Sequence, residues 1–88
     1  MQNRSSLTSI ATRLERTRTA LGLSQSEFAD RAGIARNTYN QWEKGKGRPQ
    51  LDGAIALCGT YSLTLDWIYF GEMAGLPYGV ASKLMSAA

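Results

Sequence analysis

Apolar residues recur along this chain at intervals of three and four, the period of helices with one buried face. Ile10, Leu14 and Leu21 mark a first helix over residues 9–21, and Gly22 closes it. Ser24 and Glu27 have the spacing of a capping box, with Leu23 and Phe28 placed as a hydrophobic staple around it, so a second helix should run over 25–32. Gly33 supplies the positive φ that ends it. The third helix, 36–43, keeps Tyr39 and Trp42 on one face and leaves Arg36, Asn37, Asn40 and Gln41 on the other. A breaker-rich stretch, Gly45-Lys46-Gly47-Arg48-Pro49, separates it from a fourth helix over 51–61. Leu51, Ile55, Cys58 and Tyr61 are expected on the inner side of that helix, where Gly53 costs ~1 kcal/mol against Ala. Thr64 caps a fifth helix that ends near Phe70 and Gly71. Leu63 and Ile68 staple it, and Asp66 suits its positive end. No stretch alternates as a strand would, so the chain reads as all-α.

Residues 23–42 are therefore two short helices joined by a tight turn, and the second presents Arg, Asn, Asn and Gln outward. Such a face suits base edges in a DNA groove. The stretch resembles the helix-turn-helix of the phage-repressor and Cro class, the xenobiotic-response-element type. Leu23, Ser24, Gln25, Phe28, Ala29, Ala32, Gly33, Ile34, Trp42, Glu43 and Gly45 carry the likeness, which extends from about residue 10 to 71. It departs at Ala35, where the family usually has a Ser or Thr cap; losing that cap costs ~0.5–2 kcal/mol. The resemblance implies a compact five-helix, lambda-repressor-like domain with the helix-turn-helix at helices 2 and 3. The chain is expected to form one domain over 1–71, followed by a tail over 72–88.

Charge sharpens this picture. Residues 1–48 hold nine Lys/Arg against four Asp/Glu, while 49–88 hold one against three, within a net charge of +3. A basic half and a mildly acidic half suit phosphate contact on one face and self-association on another. With no His and one Cys, the usual zinc sets, a Ser-His-Asp triad and a Cys-His pair are all excluded. The chain is thus expected to be no enzyme and to need no metal or cofactor. Cys58 reads as core packing in a reducing, cytoplasmic compartment. The mostly apolar run 53–70 is interrupted by Gly59 and Asp66 and reads as two core helices, not a membrane span.

Site expectations follow. Arg36, Asn37, Asn40 and Gln41 are the base-reading candidates. Lys44, Lys46 and Arg48 flank the recognition helix as phosphate contacts, Thr38 meets a phosphate or a thymine methyl, and the resemblance adds Gln25 on a phosphate. The resemblance also implies an Arg18–Glu43 ion pair that holds the recognition helix without touching bases. The expected function is sequence-specific binding of a double-stranded DNA operator by a homodimer. An antitoxin that neutralises a toxin protein partner and binds DNA for autoregulation is the alternative, and a protein-interaction module is a further one. The tail contains Gly75, Pro77 and Gly79, with Val80, Leu84 and Met85 at helical spacing. It is either without fixed structure or a short helix packed on the core or on a second subunit. It is too short for a small-molecule effector domain.

Overall fold

The computed structural model describes residues 3–86. Its helices are α1 (Leu7–Ala20), α2 (Gln25–Arg31), α3 (Arg36–Glu43), α4 (Leu51–Tyr61), α5 (Leu65–Phe70) and α6 (Tyr78–Ser86). There are six helices and no strand among the described residues: the five expected ones, and a sixth in the tail. The helix α1 starts two residues earlier than the spacing suggests, because Ser6 is its N-cap and accepts from the Ser9 N–H at 3.1 Å. The capping box of α2 forms in both directions, Glu27 N–H to the Ser24 hydroxyl at 3.1 Å and Ser24 N–H to Glu27 at 3.0 Å. Thr64 caps α5 through the Trp67 N–H at 3.0 Å. Ala35, by contrast, gives α3 no side-chain cap.

α1 is the central element. It packs against α3, α5 and α6, while α2 packs on α3 and α4 on α5. The core joins Ile10 and Leu14 of α1 to Phe28, Ala29, Tyr39, Trp42, Leu57, Trp67, Ile68 and Leu84. Aromatic rings fill its middle: Phe28 stacks on Tyr61 with centroids 4.3 Å apart and tilts against Tyr39 at 5.2 Å. Each such side chain contributes roughly 1.5–3 kcal/mol by leaving water. Thr17 is the buried polar residue of this core; its hydroxyl donates to Arg13 O at 2.7 Å and accepts from the Trp67 indole at 3.0 Å. Leu84, 1% exposed, brings α6 onto the same core.

One expected face is wrong. Leu51 and Ile55 do not point inward; they are 56% and 51% exposed, whereas Ala54 and Leu57 are fully buried. Cys58 and Tyr61 are only partly buried. The reason is Gly53. A Cβ built there would lie 2.5 Å from Trp42 Cη2, so the bare backbone of α4 is what admits the indole. That contact turns the stripe of Gly53, Ala54 and Leu57 toward the core and leaves Leu51 and Ile55 outward.

α3 is fixed from behind by one carboxylate. Arg18 donates to Glu43 twice, Nε to Oε2 at 2.7 Å and Nη2 to Oε1 at 3.1 Å. Gln25 donates to the same Oε1 at 2.9 Å, and the Tyr39 hydroxyl donates to Oε2. The Glu43 side chain is 2% exposed. Burial pushes its pKa up, but the bonds from Arg18, Tyr39 and Gln25 outweigh burial and hold it below the ordinary value of 4.5. The Tyr39 hydroxyl is pushed up, first by burial and then by Glu43.

Two outcomes are expected. Gly53→Ala should destabilise the protein by about 1–3 kcal/mol through overpacking against Trp42, in spite of the helix propensity it gains; urea denaturation measures this, and a stabilised variant would show that the indole yields freely. Glu43 has a depressed folded pKa, so its contribution is complete above about pH 4.5 and is lost as pH falls through the folded value. The stability of wild type should therefore fall more steeply below pH 4.5 than that of Glu43→Gln, which carries no titrating group there. Parallel acid profiles would exclude this carboxylate as the cause.

Candidate nucleic-acid interface

The turn between α2 and α3 sets up the outward face. Gly33 takes φ +71, and Ile34 N–H returns to Ala29 O at 2.9 Å, so the chain reverses within a few residues. Tyr39 and Trp42 of α3 are buried, and Tyr39 reaches back to Glu43. The opposite side of α3 carries Arg36, Asn37 and Gln41, all exposed, and Asn40, half-buried.

These side chains are not equally free. Arg36 makes a two-point bond to Asp30 at the end of α2, Nε to Oδ1 at 3.1 Å and Nη2 to Oδ2 at 2.6 Å. Both partners are well exposed, so the pair adds little to stability. Its effect is on direction, because a planar fork held at two points has few orientations. Asn37 bends its carboxamide oxygen onto the Thr38 N–H at 3.0 Å. Asn40 donates to Gln25 Oε1 at 2.9 Å, and Gln25 in turn donates to Glu43. A single chain of bonds thus runs from Asn40 on the outer face to Arg18 on α1. Gln41 extends from the surface without a protein partner among the described residues.

The flanking cations divide into two groups. Lys44 and Lys46 are exposed on either side of Gly45, with Lys44 at the C-cap of α3. Arg48 is exposed too, but its Nη1 donates to Ser5 O and ties the loop to the N-terminal segment. Thr38 is exposed in the first turn of α3. At Gln25 both ends of the carboxamide are engaged, on Glu43 and Asn40, which leaves one side-chain N–H and the backbone N–H at the start of α2 for an outside acceptor.

Sequence reasoning missed Asp30. The signal was present, since opposite charges close to either side of a tight Gly turn are brought together when the two helices reverse. It also missed Arg4, Arg13 and Arg16, which meet beside Trp67 on another side of the molecule. Cys58 is partly buried, and burial pushes its thiol pKa up. No helix among the described residues is long and apolar enough to cross a membrane.

Comparison with known proteins gives the same architecture. The helix-turn-helix family matches residues 14–68. The chain is 36% identical over 62 residues to the SPbeta prophage-derived uncharacterized HTH-type transcriptional regulator YonR of Bacillus subtilis. It is 30% identical over 60 residues to the HTH-type transcriptional activator BcrR of Enterococcus faecalis, and 28% over 57 to the cryptic phage CTXphi transcriptional repressor RstR of Vibrio cholerae. These alignments take in 70%, 68% and 65% of this chain but only 57%, 29% and 51% of the relatives, so the chain spans from under a third to just over half of their length. No solved structure matches at comparable significance. The family match takes in Arg18, Gln25, Tyr39 and Glu43, the residues that tie the first three helices together, and the chain belongs to the helix-turn-helix family of phage-repressor and Cro type, one of DNA-binding regulators and not of enzymes.

Proposed function

We propose that this chain binds double-stranded DNA sequence-specifically as a homodimeric transcriptional regulator, with α3 in the major groove. The carrying observation is the exposed polar face of α3, Arg36, Asn37, Asn40 and Gln41, on a helix fixed from behind through Glu43. Arg suits G O6/N7, and Asn or Gln suits A N6/N7. Asp30 orients the Arg36 fork for such a contact, and Gln25 does the same for Asn40. Phosphates fall to Thr38, Lys44, Lys46 and Arg48, and to the backbone N–H and remaining side-chain N–H of Gln25. Arg18 touches no base in this reading. A compartment that holds DNA, the cytoplasm of a bacterial cell, is the implied location.

One recognition helix covers few base pairs, which favours a two-fold dimer. Leu51 and Ile55 of α4 and Phe70 at the end of α5 are large, apolar and more than half exposed. Met85 of α6 is 69% exposed. Subunits meeting through α4 and α5, with the segment 80–85 beside them, would cover these residues.

Four measurements test this. Arg36→Ala should weaken binding to the preferred site by ~1–3 kcal/mol and to random DNA far less, with Tm nearly unchanged; an equal loss on both would make Arg36 a phosphate contact. Lys46→Ala should weaken binding to all sequences alike and lower the salt slope by about one. An affinity that does not change with salt would sink the DNA reading. The dimer should protect two half-sites ~34 Å apart. Ile55→Glu should raise the dimer dissociation constant in sedimentation experiments while leaving the monomer folded. A protein that remains monomeric on its best site removes the two-fold model.

A further inference from the structure

The side of α1 turned away from α3 opens into a cavity of about 360 Å³ lined by Arg4, Thr8, Thr12, Arg13, Arg16 and Trp67. Its volume lies in the range of small-ligand sites, roughly 300–1,000 Å³. Three guanidiniums converge on it. Among the described residues neither Arg13 nor Arg16 has a carboxylate within 4.0 Å, and Glu72 stands 3.9 Å from Arg4 with both side chains more than half exposed. Glu15, the acid on α1, acts on Arg18 instead. The pKa of Arg13 is held down, first by burial and then by the charge of Arg4, as expected where a partly buried cation stands beside another.

The forks are already positioned. Arg13 Nη1 donates to Ile68 O at 2.8 Å and Nη2 to Arg4 O at 2.7 Å. Arg4 Nη2 donates to Gly71 O at 2.7 Å, and Arg16 Nη2 to Leu84 O at 3.2 Å. A guanidinium has five N–H donors, so each arginine keeps at least three for an outside acceptor. Thr8 and Thr12 add hydroxyls, and the first turn of α1, which contains no acid, adds the positive end of a helix. Arg13 and Arg16 lie over the Trp67 ring at 5.7 and 5.9 Å from its centroid, and the residue is 3% exposed. A base could not stack there. The chemistry that remains is that of a compact, multiply charged oxyanion.

We propose that this cavity binds a small phosphate-bearing anion through Arg4, Arg13 and Arg16. Arg forks match phosphate oxygens at two points, and such charge-assisted bonds are the strong ones. The phosphates of a duplex are the wrong source. Leu7 and Ala11 face the loop at Gly45, and Arg18 faces Glu43, so one side of α1 backs α3. Thr8, Thr12 and Arg16, each four residues on from the last, run along another side. DNA on the outer face of α3 is separated from the cavity by α1 itself. Because the arginines bond to Ile68, Gly71 and Leu84, a bound anion bridges α1 to the end of α5 and to α6.

Pyrophosphate is the probe, titrated at constant ionic strength with heat of binding and Tm as readouts. Wild type should bind one equivalent saturably and gain Tm. Arg16→Gln should weaken binding roughly tenfold, the value of one charge-assisted bond. Arg31→Gln, an exposed arginine on α2 outside the cavity, should leave it unchanged. Thr12→Glu keeps every arginine-to-carbonyl bond and places a carboxylate among the forks, so it should abolish pyrophosphate binding while the protein stays folded and its DNA affinity is kept. Heat proportional only to ionic strength, or equal weakening by Arg31→Gln and Arg16→Gln, overturns the proposal. Displacement of pyrophosphate by DNA, mole for mole, overturns it too, since the cavity would then lie in the DNA footprint. Pyrophosphate binding by a chain that binds no DNA would support the anion site and refute the regulator reading alone.

Discussion

The Glu43 carboxylate is the point on which the arrangement of the first three helices depends. It ends α3, yet its bonds come from α1 through Arg18, from α2 through Gln25 and from α3 itself through Tyr39. A charge this well buried must be compensated or the fold rejects it. Compensation here draws on all three helices at once, because donor residues from three directions share two oxygens. An eight-residue helix has little stability of its own, so α3 takes its position from this contact and from the burial of Tyr39 and Trp42. The same constraint reaches the outer surface through Gln25, which gives one end of its carboxamide to Glu43 and the other to Asn40.

A second anchor lies on the neighbouring residue of α1, on the side that faces α5. Thr17 would be an orphan polar group in an apolar core, but its hydroxyl donates to Arg13 O and accepts from the Trp67 indole N–H. α5 is only six residues long. It is held by that indole and by the arginines that bond the carbonyls at its C-terminal end, where cations suit the helix dipole. α1 is thus braced by an acid toward α3 and by guanidiniums toward α5 and α6, with each buried polar group matched by a partner.

Much of the fold was legible because its signals are local. Caps and turn residues are read within four positions, so the starts of α2, α3, α4 and α5 lie where Ser24, Ala35, Pro49-Gln50 and Thr64 put them. Serine-rich stretches are ambiguous, and with Ser5, Ser6 and Ser9 all able to cap, α1 began earlier than its apolar spacing suggests. The face of α4 was misread for a different reason. Two apolar stripes fit its sequence, and the choice between them was made by Trp42, a residue from another helix that needs the missing side chain of Gly53. α6 was undecidable from its own residues, since Gly75, Pro77 and Gly79 argue against order, the spacing of Val80, Leu84 and Met85 argues for it, and the seat for Leu84 that decides lies in the core. Within the candidate site, the outward residues of α3 follow from helical spacing, whereas the Asp30–Arg36 pair exists only once the turn is closed. The arginine cavity draws on Arg4, α1 and Trp67 together, a grouping that no local pattern encodes.

Ala35 leaves the first-turn amides of α3 without the side-chain oxygen that most helices of this kind provide, apart from Thr38, whose N–H is met by Asn37. Those amides point out of the protein at the positive end of a helix. An acceptor that arrives there from outside does the work of a cap, so ligation and the tightening of the first turn become a single thermodynamic event. The enthalpy released at that moment then includes the pairing of the protein's own uncapped amides as well as the contacts of the surfaces that meet.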